Sequence, residues 1–221
     1  MIKALIFDFD GLILDTETPE FEAWREIYRE FDQDLSMEMW GQIVGGAAAS
    51  SFRPYPYLQT LLGRDLSPLN LGARAAEQSL ARIVALPPLP GVLDMLTAAQ
   101  NAGLRLAVAS SSKHRWVDGH LERLGLHSFF ESVHCAEDVA HTKPQPDLYL
   151  AALNALKVSP HEAIAFEDSP NGVRAARSAG LFVVAIPNPV TAQLTFNNES
   201  LRVHSMAELS LLQLLAAVQS S

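Results

Sequence analysis

The chain has 221 residues, 48% of them hydrophobic, a formal net charge of −9 and one cysteine. That length suits one sizeable core with a smaller insert, and the negative charge disfavours a nucleic-acid partner, which requires a basic patch. No stretch approaches the ~20 uninterrupted apolar residues of a membrane helix, Cys135 alone can form no intrachain disulfide, and the seven histidines form no HExxH pair or Cys/His cluster that would suggest zinc.

The chain opens with Met1-Ile2-Lys3 and runs directly into an apolar pattern from Lys3 to Phe9, without the segments of a secretion signal, so the expected location is the cytoplasm. From Thr16 to Leu86 the patterns are helical. Phe21, Trp24, Tyr28 and Phe31 share one face, Thr18-Pro19 offers an N-cap with proline at the first helical position, and a second helix is expected over Met37 to Val44. Gly45 to Ser51, GGAAASS, reads as a loop of small residues, and LPPLPG from Leu86 to Gly91 as stiff turn chemistry. Strand patterns then recur at Leu104 to Ser110, Ser132 to Cys135, Ala163 to Phe166 and Leu181 to Ile186. Helical patterns lie between most of them: Val92, Leu93, Leu96 and Ala99 before Gly103; Val117, Leu121 and Leu124 before Gly125; Tyr149, Ala152, Leu153 and Leu156; and a helix after Ser169-Pro170 that ends at Gly180. Strands alternating with helices give an α/β fold with a doubly wound parallel sheet, residues 1–15 and 87–221, whose ligands sit beyond the carboxyl ends of the strands. Residues 16–86 are an all-helical cap inserted after the first strand.

IFDFDG, from Ile6 to Gly11, places two aspartates at the end of an apolar strand, where an uncompensated carboxylate costs several kcal/mol. Read alone, Asp8 and Asp10 could simply end the strand. Ser110 follows the run LRLAVA, Lys143 sits in HTKPQPD, and Glu167-Asp168 follows AIAF. Taken singly, these too have plainer readings as turn residues, a solvated lysine and helix caps. In a parallel sheet all of them fall at one edge, and together they suit phosphoryl transfer. Asp8 is already ionised at pH 7 and can attack phosphorus without an activating base. Like charges beside a phosphate require cations, and hard oxygen ligands favour Mg²⁺, held by Asp8, the Asp10 carbonyl and Asp168, with Glu167 in or next to the coordination sphere. Lys143 adds positive charge. Ser110 and the backbone amides around it and after Asp8, hence Ser111 and Gly11, can bond the phosphoryl oxygens. Asp10 is placed to protonate the leaving oxygen and later deprotonate water.

With DFDGLILDTE, VASSSK, TKPQPD and FEDSPNGVRAA in this order, the sequence resembles the haloacid dehalogenase-like superfamily over the whole chain. The resemblance is to the capped subgroup near β-phosphoglucomutase-like and small-metabolite phosphatases. It implies a Rossmann-like core with the first strand central, Asp8 as the nucleophile forming an aspartyl-phosphate, Asp10 as general acid/base, Asp168 as a Mg²⁺ ligand, and Ser110 and Lys143 holding the phosphoryl group. Dehalogenases of the superfamily lack the second aspartate, so Asp10 favours phosphate esters. The related sugar-phosphate mutases carry a histidine in the first cap helix and an arginine in the cap loop. Here those places read Glu20 and Gly46-Ala47-Ala48-Ala49-Ser50, and Arg53 or Arg74 is left to substitute for the arginine. The expected function is a Mg²⁺-dependent phosphatase acting on a small phosphorylated metabolite, a sugar or nucleoside monophosphate. A β-phosphoglucomutase-like mutase is the alternative. A phospho-aspartate regulatory switch is disfavoured by the inserted cap, and a pseudoenzyme by the presence of every chemical residue. Arg53, with Tyr55 and Tyr57 beside it, is the candidate substrate-binding group of the cap, while Trp24 and Trp40 read as cap core. The expected assembly is a monomer or weak homodimer, with neither membrane nor nucleic acid as partner.

Overall fold

A computed structural model describes residues 1–44 and 52–219. Six parallel strands form one sheet: β1 (Ala4–Phe7), β2 (Arg105–Ala109), β3 (Ser132–His134), β4 (Ala163–Glu167), β5 (Phe182–Ala185) and β6 (Leu201–Arg202), in the order β3-β2-β1-β4-β5-β6. The chain moves outward from β1 in both directions, which is the doubly wound arrangement expected from the alternation of patterns. β1 lies between β2 and β4, with Phe7 level with Val108 on one side and Phe166 on the other. That register decides the site. The residues that follow Phe7, Ala109 and Phe166 all emerge at the same edge of the sheet, and the ladder runs one step further through Asp8 N–H to Phe166 O (3.0 Å) and Ser110 N–H to His134 O (2.9 Å).

Continuous apolar strands are buried on both faces. Leu5, Phe7, Val108, Phe166 and Val184 belong to one layer with α5 (Val92–Asn101), α6 (His114–Arg123) and α9 (Leu211–Gln219). Ala4, Ile6, Ala107, Ala165 and Val183 belong to the other with α7 (Asp147–Ala155) and α8 (Pro170–Ser178). Gly103, Gly125 and Gly180 follow α5, α6 and α8 with φ of 72°, 71° and 86°, the left-handed turn that stops a helix. Ser169 caps α8 by accepting from Gly172 N–H. β6 and α9 lie beyond the last strand expected from the sequence.

Between β1 and α5 the chain forms four helices: α1 (Glu17–Arg29), α2 (Met37–Val44), α3 (Pro54–Leu62) and α4 (Leu71–Ile83). Their buried cluster contains Phe21, Trp24, Tyr28, Trp40, Leu58 and Leu71. α1 begins before the expected Thr18-Pro19 cap. Thr16 is its flanking residue, and the side chain that accepts from the first turn is Asp15, through Thr18 N–H at 3.0 Å. Val190, from the loop after β5, is fully buried inside this helical cluster, and Gln193 Nε2 of the same loop donates to Met37 O at 2.6 Å. The inserted helices are thus attached to the core by a loop far away in sequence as well as by their own two ends. Among the described residues no helix is long and apolar enough to cross a membrane. The small-residue loop at Gly45 to Ser51 lies outside the described residues.

Candidate active site

Asp8 follows β1 at the centre of the edge, and its surroundings are built from four other elements. Its Oδ1 accepts from Phe9 N–H at 2.7 Å and pairs with Lys143 Nζ at 2.7 Å. Lys143 lies in the turn before α7, and its side chain is buried. It also reaches Glu167 Oε1 at 2.7 Å, and that oxygen accepts from the Tyr149 hydroxyl on α7. Glu167 Oε2 is buried with no hydrogen-bond partner among the described residues. The carboxylate lies against the first turn of α8, where a Cβ on Gly172 would overlap it. Asp168 Oδ2 accepts from Asn188 Nδ2 at 2.7 Å. Asn188 Oδ1 in turn accepts the N–H groups of Val190 and Thr191 at 2.9 and 3.0 Å, which fixes the loop that carries Val190 into the helical insertion.

Asp10, two residues beyond Asp8, has a separate set of donors. Ser112 Oγ lies at 2.6 Å and Trp116 Nε1 at 2.8 Å, with Ser110 Oγ further away at 3.4 Å. Ser110 Oγ also accepts from Ser112 N–H, so this serine organises the turn after β2 as well as facing the acids.

Burial pushes the Asp8 carboxyl up to about 7, reinforced by Glu167 and opposed by Lys143. Burial raises Asp168 well above the usual carboxylate range, with Asp8 and Glu167 adding repulsion. Asp10 is also raised by burial, against the lowering effect of Ser112 and Trp116. Burial disfavours the charge on Lys143, but Asp8 and Glu167 hold its pKa above the normal value. One ammonium among these acids is a charge deficit that a bound cation would relieve. The geometry has room for one: an oxygen from each of Asp8, Glu167 and Asp168 lies within 4.8 Å of the others, and all three residues are buried. Hard oxygen donors and the unpartnered Glu167 Oε2 suit a small divalent ion.

A cavity of about 820 Å³ opens over these groups. Asp8, Asp10, Ser110, Ser111, Lys143 and Asp168 line it from the core, and α1 and α4 of the insertion form the opposite wall. Glu167 lies beneath rather than on the surface of the cavity. Two expected binding residues are placed elsewhere. Gly11 has φ 75° and gives its N–H to Leu14 O, so its amide closes the turn and is not offered to a ligand; its missing Cβ makes room for Asp168 and Asn188. Arg53 is exposed at the start of α3, with Nη1 donating to Phe52 O, and does not line the cavity. Tyr55 is packed against the helical cluster and Tyr57 against Phe52, so neither reaches it. Ser112, Trp116, Tyr149 and Asn188 are not marked as site residues by the sequence. A tyrosine and a tryptophan on inward helical faces are the signal for two of them, since a buried O–H or indole N–H needs an acceptor. Cys135 is buried, and burial pushes its thiol up to about 12, away from nucleophilic use.

Comparison with known proteins gives this geometry its class. The haloacid dehalogenase-like hydrolase family matches residues 5–186. YhcW of Bacillus subtilis (strain 168) is 46% identical over 220 residues, covering 100% of this chain and 99% of that one. The phosphorylated carbohydrates phosphatase of Thermotoga maritima is 32% identical over 182 residues, 81% of this chain and 82% of its own. The crystal structure of CbbY from Rhodobacter sphaeroides in complex with phosphate superposes with a TM-score of 0.71 at 30% identity, over 99% of this chain and 100% of that one.

The chain belongs to the haloacid dehalogenase-like hydrolase family. Within it, the chain is an enzyme of the phosphatase class, in the group that resembles β-phosphoglucomutase.

Proposed function

We propose that the protein hydrolyses the phosphate ester of a small phosphorylated metabolite, a sugar or nucleoside monophosphate, through an aspartyl-phosphate on Asp8. The single observation that carries this reading is the division of labour between the two aspartates: Asp8 is held by Lys143, and Asp10 by Ser112 and Trp116, on the wall of one cavity. The phosphorylated carbohydrates phosphatase of Thermotoga maritima and the phosphate-bound CbbY structure support the substrate kind.

Asp8 Oδ1 is committed to Phe9 N–H and Lys143, which leaves Oδ2 to form the bond to phosphorus. As the P–O bond to the leaving group breaks, Asp10 gives that oxygen its proton. Burial raises this carboxyl and favours holding a proton until then, while Ser112 and Trp116 fix its orientation and stabilise it once ionised. Asp10, now ionised, takes a proton from water; the water oxygen attacks phosphorus, the acyl phosphate opens, and Asp8 returns to its starting state with inorganic phosphate released. Ser110, the amides around Ser111 and Lys143 would bind the phosphoryl oxygens, where charge spreads in the transition state. Asp8, Asp168 and the Asp10 carbonyl would hold Mg²⁺, with Glu167 in or beside its coordination sphere. When bound, the ion supplies positive charge to neutralise phosphate and carboxylates. Residues 16–86 would act as the cap that excludes bulk water while the ester forms.

Phosphate release from sugar and nucleoside monophosphates, with Mg²⁺ and with chelator, tests this. Metal-dependent release that falls at least about 10³-fold in Asp8→Asn is expected; equal release by the variant would remove Asp8 as nucleophile. A mutase is disfavoured on the described cap wall, which offers Glu20 where those enzymes carry a histidine.

A further inference from the structure

The wall of the cavity opposite the acid cluster carries acids of its own. Glu17 and Glu20 stand three residues apart on α1, on one face of the helix, and both line the cavity. Among the described residues the rest of that wall is Thr16, before α1, and Ala76, Ser79, Leu80 and Ile83 of α4. Neither glutamate has an ion pair or hydrogen bond among the described residues, although salt bridges tie other parts of α1 to α4 through Glu26 with Arg82 and Glu30 with Arg74. The basic side chains of α4 are therefore spent on the outside of the insertion, and none lines the cavity. Among the described residues both cationic side chains on the lining, Lys113 and Lys143, come from the core, Lys143 paired with Asp8 and Lys113 directly after Ser112. Gly45 to Ser51 contains no charged residue to add.

Burial and then Glu20 push the Glu17 carboxyl up to about 8, with Asp10 contributing next, and Glu20 is raised by burial and by Asp10. Both glutamates line the same cavity as Asp10, which on the phosphatase reading faces the leaving group. Glu17 is half-buried and Glu20 exposed; without partners among the described residues, both accept hydrogen bonds from a ligand and, once ionised, repel an anion, which for Glu17 requires a pH above about 8.

Resting on the phosphatase reading, we infer that Glu17 and Glu20 are specificity-determining residues that select monophosphate esters whose far end presents hydrogen-bond donors, hydroxyl or ammonium, and reject esters bearing a second anion. Selection by repulsion as well as attraction is an efficient way to separate ligands of one shape.

The test compares kcat/KM for four esters in wild type, Glu20→Gln, Glu20→Lys and Glu17→Gln: glucose 6-phosphate, glucosamine 6-phosphate, 6-phosphogluconate and fructose 1,6-bisphosphate. Wild type is expected to favour the first two over the last two by about tenfold or more, the scale of one uncompensated charge contact. Glu20→Gln should narrow that ratio about threefold or more, Glu17→Gln should do so at pH 8.5 and above, where Glu17 is ionised, and Glu20→Lys should move the preference toward 6-phosphogluconate. A glucosamine ester better than the glucose ester assigns the wall to ammonium, and the reverse to hydroxyl. Hydrolysis without discrimination against the second anion, or a ratio unmoved by all three substitutions, overturns this inference and leaves the phosphatase standing. No phosphate release from these esters or from nucleoside monophosphates, or release equal in Asp8→Asn, overturns the phosphatase reading and this inference with it.

Discussion

The two sides of the cavity treat the same functional group in opposite ways. On the core side each carboxylate that faces or underlies the cavity is engaged: Asp8 with Lys143, Asp10 with Ser112 and Trp116, Glu167 with Lys143 and Tyr149, Asp168 with Asn188. On the helical side Glu17 and Glu20 have no such partners among the described residues. Groups that must meet the same phosphoryl geometry in every turnover can be fixed in advance by the fold. Groups that meet the variable part of a substrate are left for the substrate to satisfy.

The contrast breaks first at Lys143. Lys143→Ala leaves buried carboxylates without their protein cation, and a loss of about 3–5 kcal/mol in unfolding free energy is expected by urea titration. Added Mg²⁺ should recover more stability in this variant than in wild type; an unchanged unfolding midpoint would mean that the acids are not held in the way the geometry shows. Next is the shared loop: Val190→Ala removes buried methyl groups from the helical cluster and should cost roughly 2 kcal/mol. A variant as stable as wild type would show that the loop does not anchor the insertion. Asn188→Ala takes the donor from Asp168, and the Mg²⁺ concentration for half-maximal activity should rise about tenfold. No change in metal dependence would separate Asn188 from the acid cluster.

The smallest effect sharpens the other half of the comparison. Glu17 has a folded-state carboxyl raised to about 8 from the ordinary 4.5, so the folded protein binds the proton more tightly than the unfolded chain. Its contribution is fully present below 4.5 and is lost as pH rises through 8, where burying the charge becomes a cost. Glu17→Gln removes that cost. The variant should melt about 2–4 °C above wild type at pH 8.5, a difference of order 1 kcal/mol, and close to wild type at pH 5. An equal shift at both values would mean that the effect is one of packing and not of charge.

The sheet and the acid cluster were legible because strand period, glycine stops and the position of charged residues after apolar runs all point to one edge. Asp8, Asp10, Ser110, Lys143 and Glu167-Asp168 are each adjacent in sequence to the element that places them. Asn188, Tyr149, Trp116 and Ser112 were not legible as site residues because their partners lie about 20 to more than 100 residues away, and nothing local distinguishes them from turn and core residues. β6, with only two residues, falls below any periodicity, and the capping acceptor at the start of α1 is not the expected Thr18 because Asp15, one turn earlier, accepts the Thr18 N–H. Arg53 stands out in the sequence by its charge and its place near the cap loop, whereas the fold leaves it exposed at the start of α3 and off the cavity lining.

The Pro187 to Leu194 loop carries a consequence for modularity. One end of it holds Asp168 through Asn188 and the other fills the interior of the inserted helices with Val190. An engineer who exchanges residues 16–86 for the helices of another enzyme would leave Val190 facing a foreign interior and Gln193 without the Met37 carbonyl. The transferable part is therefore discontinuous, four helices together with a loop more than a hundred residues downstream, and chimeras that move both should keep metal affinity where chimeras that move only the helices lose it.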